Sequence, residues 1–295
     1  MQPELITSAQ NPKIKRLLAL QRDSSLRRQE GLFVVEGQRE LERCLASGFE
    51  IDTVFICNDL FQVECFPRKT VAARGHMNGR GPQAQRSGRD ERSEVFRGKY
   101  SNLKTIEVSK AVYEKIAYRG GTEGVVAEVR VKERKLEELE LPQKPLVVVL
   151  ESVEKPGNLG AVLRSADAAG ADAVIVCDPL TDLWNPNLIR ASVGAVFALP
   201  AVACSSAEAI AFLKSRGIRI LTAQLQDSEL YYDTDMKAGT ALVMGTESTG
   251  LSEQWREAAD AHIRIPMLGI ADSLNVSVSA AILLFEAVRQ RQGGI

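Results

Sequence analysis

Histidine is nearly absent from this 295-residue chain: His76 and His262 are the only two, far apart and in unlike surroundings. Two imidazoles cannot build a His-rich metal centre, and any triad would depend on one of them. Both are expected to be surface or loop residues. The five cysteines, Cys44, Cys57, Cys65, Cys177 and Cys204, contain no C-x-x-C pair. That argues against a disulfide framework and a cysteine zinc site, and leaves reduced thiols. No run approaches the ~20 apolar residues of a membrane helix, and the opening residues lack a signal peptide's charged and apolar regions. G-x-G-x-x-G and G-x-x-x-x-G-K-[ST] are both missing, so a nicotinamide enzyme and a nucleotide triphosphatase lose support. The expectation is a soluble, cytoplasmic, metal-free protein.

What is present is enough for a core: 45% of residues are hydrophobic and 25% charged, and the length favours two domains. The formal net charge of −1 hides an asymmetry. Residues 1–130 carry 22 Lys and Arg against 17 Asp and Glu, and the remainder 15 against 21. A basic front end suits a polyanion, although a merely solvated asymmetry is equally compatible.

Pro12 followed by Ile14, Leu17 and Leu18 among Lys13, Lys15, Arg16 and Arg22 predicts an amphipathic basic helix that could touch phosphates. A strand within Gly31–Gly37, a helix over Arg39–Ser47 and a strand at Ile51–Cys57 complete a small α/β unit. Residues 67–100, rich in Gly, Arg, Ser and Gln, offer little apolar area against ordering entropy, so a mobile loop is expected there. Order resumes with a strand at Thr105–Val108, a helix over Ser109–Tyr118 and a strand from Gly124. The charged segment 131–145 reads as a linker. From Leu146, apolar strands near 146–150, 173–177, 197–203, 219–222 and 241–244 alternate with helices. This predicts an α/β domain whose parallel sheet is covered on both faces.

Ligands of parallel sheets bind beyond the strands' carboxyl ends, and three turns there are unusual. In Glu151–Arg164, Asn158 occupies a plausible N-cap, and Gly160 one turn before Arg164 would leave room for a bulky group to approach the guanidinium; a plain capped helix is the alternative. In Gly245-Thr-Glu-Ser-Thr-Gly250, Glu247 could be a site residue or a cap for the helix that follows. In Ile263–Ala281, Ser273, Asn275, Ser277 and Ser279 crowd the start of an apolar helix, where Ser273 and Asn275 could bind an anion or Ser273 could simply cap.

Together, N-x-G-x-x-x-R, G-x-E-x-x-G and I-P-M followed by S-L-N-V-S resemble the SpoU (TrmH-like) RNA ribose 2′-O-methyltransferases of the SPOUT class over roughly residues 146–290. Phe33-Val-Val-Glu-Gly37, with Val108-Ser-Lys and Gly124-Val-Val-Ala, is similar to the small L30e-like RNA-binding domain that precedes the catalytic domain in many members. The 67–100 stretch departs from that domain's pattern. The resemblance implies a deep trefoil knot, S-adenosyl-L-methionine as methyl donor, a homodimer, and an RNA substrate, most directly 23S ribosomal RNA. It divides the chain into 1–130 for RNA, 131–145 as linker and 146–295 for catalysis. It further implies donor contacts at Gly245, Ile265 and Leu274, and a catalytic and substrate pocket of Asn158, Arg164, Glu247, Ser273 and Asn275, with Arg190 and Ser192 nearby. Transfer RNA is the alternative substrate. A non-catalytic RNA-binding or ribosome-assembly protein on the same fold is the alternative of another class.

Overall fold

A computed structural model describes residues 4–61, 103–118, 123–246 and 249–292. The expected loop 67–100 lies outside the described residues, as do Cys65, His76 and Glu247. Among the described residues no helix is long and apolar enough to cross a membrane.

The front half builds a five-stranded mixed sheet from β1 (Glu4–Ile6), β2 (Leu32–Glu36), β3 (Ile51–Ile56), β4 (Thr105–Val108) and β5 (Val125–Arg130), in the order β1-β4-β3-β5-β2. Its helices are α1 (Pro12–Arg22), α2 (Ser24–Glu30), α3 (Gln38–Ala46) and α4 (Lys110–Ile116). Asn11 starts α1 by accepting from the Lys13 N–H at 2.9 Å, ahead of Pro12 in the first turn. The α2 helix was not expected; the Asp23 carboxylate caps it by accepting from the Ser25 and Leu26 N–H groups. Ile14, Leu17 and Leu20 of α1 are fully buried against one face of the sheet, where Val126 points. Val125, Ala127 and Val129 alternate to the opposite face and join the larger core.

The second half builds a seven-stranded sheet from β6 (Leu146–Glu151), β7 (Ala173–Cys177), β8 (Ala201–Cys204), β9 (Arg219–Ala223), β10 (Glu229–Leu230), β11 (Thr240–Met244) and β12 (Ala261–Arg264). The order is β10-β12-β9-β11-β6-β7-β8, and every neighbouring pair is parallel. Helices α5 (Pro156–Ala169), α6 (Pro186–Ala191), α7 (Ala195–Ala198), α8 (Ser206–Ser215), α9 (Glu253–Ala258) and α10 (Val276–Arg291) accompany it. The expected α/β class with a parallel sheet is therefore present. Strands β10 and β12 and helices α6 and α7 were not expected, and one expected strand begins late: Phe197 lies in α7, and the strand starts only at Ala201, because Pro200 forces its predecessor Leu199 to extended backbone.

The two sheets share a core. Phe33 of β2 stacks on Trp184 at 4.6 Å and on Phe197 at 6.0 Å, and Phe49 packs edge-on against all three rings. The almost fully buried Arg27 grips Asp182 with two hydrogen bonds of 3.1 and 2.6 Å and donates a third to the Leu20 carbonyl. The segment 131–145 also packs down: Leu136 and Leu139 are buried, and Arg134 donates to the Leu199 carbonyl at 3.2 Å.

Under α1 lies a buried acid. Glu128 is 2% exposed, one of its oxygens has no partner, and the other is 3.3 Å from Arg16. Burial pushes its carboxyl up to about 7 despite Arg16 and Lys104, and Asp52 and Glu30 add to the rise. A carboxyl raised in the folded state binds its proton more tightly than the unfolded chain does. Glu128 therefore costs stability progressively as pH rises from about 4.5 to about 7, and fully above that. Glu128→Gln is expected to flatten the stability profile in that window and to raise stability at pH 8, read by urea denaturation across pH. A parallel profile for wild type and variant would contradict the assignment.

Candidate active site

Because the second sheet is wholly parallel, the carboxyl ends of β6, β9, β11 and β12 open onto one edge. The turns after β6, β11 and β12 hold the residues singled out in the sequence, although those turns are far apart in the chain.

After β6, helix α5 begins at Pro156 with Lys155 as N-cap. Asn158 is thus inside the first turn and not the cap that its sequence context suggested. After β12, the chain runs through Ile265 and an exposed loop to α10, whose cap is Asn275 and not Ser273. The Asn275 side-chain Oδ1 accepts from the Ser277 N–H at 3.0 Å and the Ser277 hydroxyl at 2.6 Å, while its Nδ2 donates to Asn158 Oδ1 at 3.3 Å. One side chain therefore starts α10 and joins it to α5. Ser273 is exposed, its hydroxyl 3.3 Å from Asp272. Arg164 is exposed and, among the described residues, makes no hydrogen bond or ion pair.

After β11, Thr246 and Gly250 exchange two backbone hydrogen bonds of 3.2 Å, closing a tight turn. A Cβ on Gly245 would lie 2.2 Å from the Gly250 carbonyl oxygen. Glycine is needed here to close the turn itself. Gly160 likewise corrects an expectation. A Cβ there would come within 2.5 Å of the Leu188 carbonyl oxygen and 2.6 Å of the Ala191 methyl. Its bare backbone seats α5 against α6 and leaves no space for a ligand beneath Arg164.

The sequence and the fold are shared with known proteins. Residues 145–285 match the SpoU rRNA methylase family, and residues 11–127 an MRM3-like substrate-binding domain. The chain is 39% identical to the 23S rRNA (guanosine-2′-O-)-methyltransferase RlmB of Pseudomonas putida over 182 residues, 59% of this chain and 73% of that protein. The chain belongs to the SpoU rRNA methylase family. A crystal structure of an RNA 2′-O ribose methyltransferase superposes with a TM-score of 0.78 at 38% identity, covering 98% of this chain and 99% of that one. An AdoMet-bound rRNA methyltransferase from Sinorhizobium meliloti gives 0.81 at 27% identity, with 98% of each chain covered.

SpoU methylases bind S-adenosylmethionine, and the residues at the sheet edge suit it. Ile265 and Leu274 are half-buried apolar walls, the turn from Gly245 offers partly exposed backbone, and the amide oxygen of Gln224, just beyond β9, is buried without a partner. The donor's adenine ring, with flat apolar faces and amine hydrogens, fits that set. No group of three or more metal-ligating side chains occurs among the described residues.

The segment of Arg190 and Ser192, expected near the pocket, packs against α5 at Gly160. Ser192 itself is fully buried and donates to the Ile189 carbonyl at 2.7 Å, so it finishes α6. Arg190 lies over the Tyr118 ring, 5.2 Å from its centroid, and so faces the front half, just past α4. His262 is not a loop residue: it sits in β12 with Nδ1 2.6 Å from the Thr222 hydroxyl. On α1, Lys13 pairs with Glu4 and Arg16 with Glu30 and Glu128. Lys15 and Arg22 are exposed and, among the described residues, make no ion pair, so α1 offers a polyanion fewer cations than its sequence suggested.

The sequence missed a polar network centred on Glu151, whose partners Ser206 and Ser252 lie 55 and 101 residues away. No spacing rule could have found it.

Gly160→Ala is expected to destabilise the protein by about 1–3 kcal/mol through overpacking against α6. Urea denaturation with unchanged midpoint would show that the α5–α6 contact relaxes freely.

Proposed function

We propose that this chain methylates a ribose 2′-hydroxyl of structured RNA with S-adenosyl-L-methionine as donor, and that its substrate is 23S ribosomal RNA. The observation that carries the reading is the Asn158–Asn275 contact: it unites two of the three family motifs at the sheet edge where the third, the Gly245–Gly250 turn, also opens.

The donor supplies a methyl group on a sulfonium. Transfer would break the methyl–sulfur bond as the bond to the 2′-oxygen forms, leaving the donor as the neutral thioether S-adenosylhomocysteine, and the hydroxyl proton must leave during or after attack. Gly245, Ile265 and Leu274 hold the donor, and Asn158, Ser273 and Asn275 fix the ribose. Arg164 has a planar fork of five N–H donors and no acceptor atom, so it is a poor proton acceptor. Its role is to orient a substrate phosphate and stabilise the developing alkoxide. The proton departs through that phosphate, Glu247 or water.

The remaining parts follow the same reading. Residues 1–130 form an L30e-like domain that holds RNA, 131–145 join it to the catalytic region 146–295, and the path through β9, β11 and β12 forms the SPOUT knot. Val278 and Phe285, half-exposed on α10, and the fully exposed Leu268 and Ile270 support a homodimer covering this face.

Tritiated-methyl transfer to ribosomal RNA, with transfer RNA as control, tests the reading; incorporation into neither overturns it, and incorporation into transfer RNA alone corrects the substrate. Arg164→Lys keeps the charge but loses the fork, so kcat should fall by about a hundredfold or more with donor affinity unchanged. Near-normal turnover would remove the fork from the mechanism. RNA affinity should weaken by roughly 0.7–0.9 log units per log unit of salt for each phosphate neutralised. Lys15→Ala with Arg22→Ala should make that slope shallower in a filter-binding titration, whereas an unchanged slope would take α1 off the RNA.

A further inference from the structure

The carboxylate of Glu151 lies at the root of two turns. As the last residue of β6 it precedes the loop to Asn158 and Arg164, and it is 6% exposed. One oxygen accepts from the Ser252 N–H at 2.8 Å and the other from the Ser252 hydroxyl at 2.5 Å. Ser252 follows the Gly245–Gly250 turn after a single residue, the buried Leu251. It is also the N-cap of α9, yet its hydroxyl makes no capping bond because it is given to Glu151. A serine at that position ordinarily caps its own helix. Here the tie to β6 replaces the cap.

The carboxylate is itself held. The Ser206 hydroxyl, 3.3 Å from Glu151, accepts from the Trp255 indole N–H at 2.9 Å and donates to Asp178 at 2.6 Å. Ser152 and Asp178, the residues that follow β6 and β7, both adopt positive φ, 51° and 47°. Their N–H groups bond to the Cys177 and Cys204 carbonyls at 2.9 Å. Strained backbone of this kind persists only where its surroundings hold it.

We propose that Glu151 is a positioning residue for methyl transfer: through Ser252 it fixes the Gly245–Gly250 donor turn relative to the end of β6, from which the chain runs into α5 with Asn158 and Arg164. This rests on the reading of that turn as a donor site. A buried carboxylate with two donors on one residue sets the position of that residue closely, because losing either bond strands a polar group. Glutamine at 151 would turn an N–H₂ toward a donor of Ser252.

The test is donor affinity of the full chain by calorimetry for wild type, Glu151→Gln, Ser252→Ala and the double variant, with amide exchange at residues 250–252. Glu151→Gln should weaken S-adenosylmethionine about tenfold or more. The double variant should be no weaker than Glu151→Gln alone, exchange at 250–252 should accelerate, and KM for RNA should stay unchanged. A lower melting temperature with unchanged donor affinity overturns the proposal by reducing Glu151 to a structural role. If Glu151→Gln does not fold, Ser252→Ala carries the test: donor affinity weakened at least about threefold supports the proposal, and wild-type affinity overturns it. Gly245→Val separates the two levels. If it binds donor normally, the donor reading fails and this inference with it; if it loses donor while Glu151→Gln retains it, only this inference fails.

Discussion

The structure depends on one constraint, the uniform direction of seven strands. A parallel sheet buried on both faces cannot return by short hairpins, so each crossover must leave from the carboxyl edge and re-enter at the other. The long turns therefore gather on one side. Residues separated by more than a hundred positions, such as Asn158 and Asn275, meet there without a bond between their flanking strands: β6 and β12 are separated in the sheet by β11 and β9.

What could be read in the sequence followed from local rules. Apolar runs gave most of the parallel strands, and proline marked the start of α1. The three turns were legible because their residue types are unusual for plain helix starts. Contacts across the fold were not. Gly160 looked like room for a ligand because sequence does not show that α6 lies against it. That the Ser192 hydroxyl would close α6 by bonding to the Ile189 carbonyl could not be read either, because it depends on where α6 ends. Asn275 took the cap from Ser273 because its side chain could reach the Ser277 N–H and Asn158 together. Lys13 and Arg16 looked like phosphate contacts because Glu4, Glu30 and Glu128 become their neighbours only after β1, α2 and β5 fold around α1.

The polar groups at the ends of β6 and β7 join turns that lie far apart in the chain. Glu151, Asp178, Ser206, Ser252 and Trp255 share one hydrogen-bonded cluster at the ends of β6 and β7. A buried carboxylate is costly unless its oxygens are occupied, and Glu151 has donors on both. The same cost explains Glu128, where one oxygen goes unmatched and the proton is retained to a higher pH.

The shared aromatic core of Phe33, Phe49, Trp184 and Phe197, fastened by Arg27 and Asp182, makes the two sheets behave as one piece. On the proposed reading the protein is a calliper with fixed jaws: an RNA held by the front sheet would have to offer its target ribose at one set separation and bearing, so selection would rest on the folded shape of the RNA as well as on the nucleotide being modified.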